Sequence, residues 1–150
     1  MGLGMVIWDF QLADRNLIRK WAADVRLGKR DRALLDQKLD ALSALNFDLA
    51  THTHLVAGPL NNSADKHIYK LRVNASIMIR VMLCRGPLPG EAACTLLAGA
   101  TERNMLYVPA NAPQMASARR KQVMASPKQY RRTHEKFIIG KEQPKNPGTC

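Results

Sequence analysis

His67-Ile68-Tyr69-Lys70-Leu71-Arg72-Val73-Asn74-Ala75-Ser76-Ile77-Met78-Ile79-Arg80-Val81-Met82-Leu83 is the stretch whose reading decides the fold. Residues 67–73 and 77–83 are two runs rich in β-branched and aromatic side chains, separated by Asn74-Ala75-Ser76. Such a pattern predicts an antiparallel hairpin with a three-residue loop. In that register Val73 pairs with Ile77, Arg72 with Met78 and Lys70 with Arg80. Side chains alternate along a strand, so Tyr69, Leu71 and Val73 share an apolar face with Ile77, Ile79, Val81 and Leu83. The opposite face carries Lys70, Arg72 and Arg80. Two cations facing each other across a bare hairpin cost about 0.2–1 kcal/mol, which suggests that an anion belongs beside them.

Working outward, Met5-Val6-Ile7-Trp8 is a short β-prone run. Asp14 then offers an N-cap to a helix whose apolar positions Leu17, Ile18, Trp21 and Val25 end at Gly28. A second helix starts at Asp31, presents Leu35, Leu39 and Leu42, and stops at Asn46. The short Gly28-Lys29-Arg30 link makes the two an antiparallel pair. From Phe47 to Lys66 periodicity fades into Gly-Pro and Asn-Asn-Ser turn chemistry, so a long loop is expected. Beyond the hairpin, Gly86-Pro87-Leu88-Pro89-Gly90 leads into Ala93-Cys94-Thr95-Leu96-Leu97, an apolar run suited to a central strand. A last helix runs from near Asn111, with Pro113 in its first turn, to Ser126. The expected fold class is α+β: a small mixed, mainly antiparallel β-sheet packed by an N-terminal helix hairpin and a C-terminal helix, spanning residues 1–126. Residues 127–150 are polar and basic apart from Phe137-Ile138-Ile139, and read as a disordered tail.

The chain carries 23 Lys+Arg against 12 Asp+Glu, a net charge of +11. Its last third holds most of the excess, a distribution that draws polyanions; a solvated tail that aids solubility would have the same composition. Cys84, Cys94 and Cys150 are too few and too scattered for a disulfide framework. Met1–Met5 lacks a basic, apolar leader pattern, so no secretory signal is expected; Val6 breaks the myristoylation pattern, and no apolar run is long enough to span a bilayer. A cytoplasmic protein without membrane contact is expected.

No P-loop, dinucleotide fingerprint, nucleophile elbow or Cys-x-x-Cys is present, so no cofactor is expected. His52-Thr53-His54 lacks a Cys or carboxylate at ligand spacing, so no metal is expected either. What remains is phosphate chemistry. Cleavage of RNA by its own 2′-hydroxyl needs cations on the pentavalent phosphate and groups that move protons. Tyr107, His52, His54 and His67 are the candidates for the second role. Arg119-Arg120-Lys121 on the last helix is a candidate phosphate-facing edge, although a solvated helix surface presents the same residues.

The order strand, helix hairpin, loop, basic hairpin, apolar strand and late helix resembles the RelE/HigB-type toxins, in particular their phage-derived HigB-like branch. Tyr69-Lys70-Leu71-Arg72 and Ile79-Arg80-Val81 resemble that family's two basic strand motifs. Leu96-Leu97-Ala98-Gly99-Ala100, Glu102-Arg103, Pro109 and Ala116-Ser117-Ala118-Arg119 fall where it has Leu-Leu-His-Gly-Phe, a Lys pair, Pro and an Ala/Arg-rich helix. The resemblance covers residues 5–126 and implies a ribosome-dependent mRNA endoribonuclease with a neutralising antitoxin as protein partner. It carries Arg72, Arg80 and Arg103 over as phosphate contacts at the catalytic site, while Lys70 of the hairpin face and Arg119, Arg120 and Lys121 of the last helix are the candidate RNA contacts read from the residues themselves. Ala98, Ala100 and Glu102 depart from the family pattern; a binding module of the same fold without cleavage is the alternative.

Overall fold

The computed structural model describes residues 4–61 and 63–138. Its strands are β1 (Val6–Leu12), β2 (Arg15–Asn16), β3 (Val56–Ala57), β4 (Tyr69–Asn74), β5 (Met78–Arg85), β6 (Ala93–Arg103), β7 (Leu106–Val108) and β8 (Arg131–Thr133). The helices are α1 (Leu17–Asp24), α2 (Lys29–Ser43), α3 (Phe47–His52), α4 (Ala112–Ala125) and α5 (Pro127–Tyr130). They form an α+β fold around one sheet of order β2-β1-β6-β5-β4-β3, with β7 added to β6 and β8 to β1. Only the β1–β6 pair is parallel among these ladders. No helix among the described residues is long and apolar enough to cross a membrane.

Burial explains the central position of β5 and β6. Both read as nearly continuous buried runs, as strands covered on two faces must. On one face Leu71, Val73, Ile79, Val81 and Leu83 pack with Leu35, Leu39 and Leu42 of α2 and Phe47 of α3. On the other, Met82, Cys84, Leu97, Ala98 and Ala100 pack with Ala112, Ala116 and Val123 of α4. A β-bulge opposite Met82/Leu83 inserts an extra residue in β6, so that Leu97 and Ala98 both enter the α4-side cluster. Small side chains at 98, 100, 112 and 116 are all fully buried, and their size lets α4 lie close on the sheet.

The hairpin forms with a register different from the expected one. Asn74 joins β4, the loop moves to Ala75-Ser76-Ile77, and Arg72 pairs with Arg80 while Lys70 pairs with Met82. Asp31 of α2 fixes that loop by accepting from the Ser76 backbone N–H and hydroxyl. The shift is by two residues, so each side chain keeps its face. At the first helix the cap is Asn16, not Asp14; its side chain accepts from the Ile18 and Arg19 N–H groups. Residues 47–52, expected as loop, form α3 because Asn46 caps it and Phe47 and Ala50 are buried.

The largest correction concerns the C-terminal segment. Residues 127–138 are part of the fold, and the domain does not end at 126. After α5 the chain pairs β8 with β1 in the register Trp8↔Thr133, Asp9↔Arg132 and Phe10↔Arg131. The carboxylate of Asp9 is fully buried, held by Asn16 Nδ2 at 2.8 Å and His134 Nδ1 at 2.9 Å. Phe137 enters the α2-side core, and Asp36 of α2 accepts from the Phe137 and Ile138 N–H groups at 2.8 and 2.9 Å. The tail expected for 139–150 lies outside the described residues.

Arg131 is buried over the Trp8 ring and makes a two-point bond to Glu91. The Arg131 guanidinium holds the Glu91 carboxyl below its ordinary value of 4.5. A carboxyl depressed by folding stabilises the fold above its unfolded pKa, and that contribution is lost as pH falls through the folded value. Urea midpoints of wild type and Glu91→Gln should therefore differ at neutral pH and converge in acid below the ordinary carboxylate range. A difference that persists unchanged at low pH would contradict this.

Candidate nucleic-acid interface

The basic face is assembled by β4, β5, β6 and β7 at one end of the sheet. Lys70 and Arg72 project from β4, Arg80 from β5, Glu102 from β6 and Tyr107 from β7, since cross-strand partners share a face. The turn that brings Tyr107 back uses Asn104 and Met105, both at positive φ (53° and 66°). That pair of left-handed residues matches the twist of a tight hairpin. Lys70 Nζ donates to the Tyr107 phenol oxygen at 3.1 Å.

Arg80 does not stand free on this face. It is only 6% exposed, and its Nε bonds Glu102 Oε1 at 2.7 Å. Nη1 donates to Asn74 Oδ1 and to the Ile79 carbonyl. Glu102 therefore neutralises a buried guanidinium that lies directly across from Arg72, and so relieves the repulsion that the sequence implied. Arg72 is exposed and has no hydrogen bond or ion pair among the described residues. Lys70 and Arg72 are the side chains here able to meet an incoming phosphate, with Tyr107 beside them.

The other assigned residues scatter. Arg103 is exposed but pairs with Leu106 on the opposite face of β6, so it does not join Lys70 and Arg72. Consecutive residues on a helix fan out by about 100° each, and Arg119, Arg120 and Lys121 accordingly separate. Arg119 lies over the Phe10 ring and donates to the Leu97 carbonyl at 2.8 Å; burial lowers its pKa. Arg120 turns inward to within 3.7 Å of Asp65. Lys121 alone is exposed. Arg119 and Arg120 are thus packing residues.

Ala98 and Ala100 also acquire a physical reason. Both are fully buried in the cluster under α4, where an imidazole or a phenyl ring would have no room. His52 and His54 sit on the far helical side, in α3 and the turn after it. His67 is exposed beside a cavity of about 660 Å³ at the opposite end of β5 and β6. Burial pushes the Cys84 thiol up to about 12 and raises Cys94 as well, so neither is a nucleophile.

Sequence reasoning passed over His134 and its bond to Asp9, because the partners are 125 positions apart. It named Tyr107 without placing it; the Arg103-Asn104-Met105-Leu106 turn was the available signal. No protein-family model matches this chain, and neither curated proteins nor solved structures include a match.

Proposed function

We propose that the chain is an RNA-binding protein of the RelE/HigB kind, a cytoplasmic, ribosome-dependent mRNA endoribonuclease whose working groups are Lys70, Arg72 and Tyr107. The observation that carries this is the contact of Lys70 with the Tyr107 phenol on the same face as the unpaired Arg72. Transphosphorylation needs cations to hold the phosphate and stabilise charge on it, and a group that transfers a proton. Lys70 and Arg72 supply the first. Tyr107, held by an ammonium donor on its oxygen, keeps its own O–H for the second. Arg80 and Glu102 form the framework beneath them. An antitoxin, as the resemblance implies, would act by covering this face.

A second reading is a binding module without cleavage. It is favoured by the neutralised Arg80 and by the buried Ala98 and Ala100, which occupy positions where the family carries working side chains. Purified protein added to ribosomes holding a message separates the two. Cleavage should be detectable, and Tyr107→Phe should slow it by about a hundredfold or more, the scale of general acid–base catalysis, with RNA affinity nearly unchanged. Binding without cleavage by the wild type would establish the second reading instead.

A further inference from the structure

On the side of the sheet away from Lys70 and Arg72, the corner between α1 and α2 gathers three arginines. A cavity of about 260 Å³ there is lined by Arg19 of α1, Arg26 of the corner and Arg32 in the first turn of α2. Ala22, Ala23, Leu27 and Phe137 form its apolar wall, and no carboxylate lines it. The acids close by in sequence are engaged elsewhere: Asp24 with Lys20, Asp31 with the Ser76 loop, and Asp36 with the Phe137 and Ile138 N–H groups. Glu135 meets Arg19 only through its carbonyl. Arg19 Nη1 and Nη2 donate to the Glu135 and Lys136 carbonyls at 2.8 and 3.0 Å, and the guanidinium lies 5.2 Å from the Phe137 ring centre. Those acceptors are neutral, so its charge remains. Arg26 is exposed and Arg32 half-buried, and neither has a hydrogen bond or ion pair among the described residues.

The backbone places Arg26 there at a cost. Leu27 N–H bonds the Ala22 carbonyl and Arg26 N–H the Ala23 carbonyl, both at 3.0 Å, which is the Schellman ending of a helix. Arg26 occupies its left-handed position, with φ at 58°. Glycine usually stands there, because a side chain disfavours that conformation. The cation is not explained by the end of α1, which offers about half a negative charge against three positive ones. Guanidinium forks match the oxygens of a tetrahedral anion, and an anion among them would offset their mutual repulsion. The volume is below that of ordinary ligand pockets, about 300–1,000 Å³, so it suits a single anionic group and not a whole nucleotide.

We propose that the α1–α2 corner binds a phosphate group, either free phosphate or the terminal phosphate of an RNA, between Arg19, Arg26 and Arg32. Titrated with inorganic phosphate against potassium chloride of equal ionic strength, the wild type should show a saturable rise in Tm. The rise should reach about 3–6 °C once phosphate is at about ten times its Kd. Arg26→Gly should melt in chloride at or above the wild-type temperature, because glycine relieves the left-handed position, and should lose most of the rise. Arg32→Gln repeats the test from α2, which keeps it decisive if one variant fails to fold. General exclusion of phosphate from protein surfaces would instead give an unsaturated rise that both variants keep. A 5′-phosphorylated oligoribonucleotide that binds more tightly than its 5′-hydroxyl counterpart, by a margin that Arg26→Gly removes, would identify an RNA terminus as the source. Equal binding of the two oligomers beside an intact phosphate response would identify free phosphate. A wild type without the rise, or a rise retained in full by both variants, would overturn the site. Neither result bears on the Lys70–Arg72 face, so the RNA reading stands or falls separately.

Discussion

Ending the chain after Ser126 is expected to abolish stable folding or to lower the thermal midpoint by more than about 15 °C. The loss comprises several contributions of known scale. Phe137, 5% exposed, gives about 1.5–3 kcal/mol through burial. Removing His134 leaves the fully buried Asp9 short of a partner, and an uncompensated buried polar group costs about 1–3 kcal/mol or more. Asp36 loses two backbone donors, and Glu91 loses Arg131. The edge of β1 also loses its β8 partner. Together these reach on the order of 5 kcal/mol, comparable to the whole stability of many domains, and each kcal/mol is worth about 2–4 °C or somewhat more at this size. Differential scanning calorimetry of the truncated chain checks it. His134→Ala and Phe137→Ala should each reproduce part of the fall, the latter by about 3–5 kcal/mol. A truncated chain melting within a few degrees of wild type would contradict the docking of this segment.

Arg80→Ala is expected to damage the fold and not the interface. The substitution removes a buried guanidinium and leaves Glu102, Asn74 Oδ1 and the Ile79 carbonyl without their donor. Breaking one side of such a pair costs about 3 kcal/mol or more, readable as a lowered urea midpoint. Arg72→Ala should change stability by less than about 0.5 kcal/mol, as an exposed, unpaired side chain does. Two arginines that face each other across one ladder thus have opposite roles, and the difference is set by Glu102.

The sequence made the sheet and its faces legible because their signal is local. Alternation in residues 67–83 fixes which side chains share a face, and a two-residue change of register leaves that assignment intact. The register itself was not legible, since the loop position depends on Asp31 holding Ser76 from another element. Residues 127–138 were misread for a related reason. They contain only Tyr130 and Phe137 as aromatics and few aliphatic side chains, but they are held by a strand edge and by the carboxylates of Asp9, Asp36 and Glu91, all distant in sequence. In the candidate site, Lys70 and Arg72 follow from periodicity alone. The neutralisation of Arg80 does not, because β5 and β6 must first align to put Glu102 beside it. Arg119 and Arg120 look like a charged helix surface until Phe10 and Asp65 are seen to engage them.

The most direct test of the central claim is the salt dependence of RNA binding in wild type and Arg72→Ala. A single-stranded RNA held through its phosphates should lose affinity linearly in log–log form as salt rises, with a slope of about −0.7 per phosphate contact. Arg72→Ala should make that slope shallower by about 0.7 and weaken binding at low salt, while the remaining folded fraction of Arg80→Ala should keep the wild-type slope. Binding that is insensitive to salt, or a slope that Arg72→Ala leaves unchanged, would contradict a phosphate-binding role for the Lys70–Arg72 face.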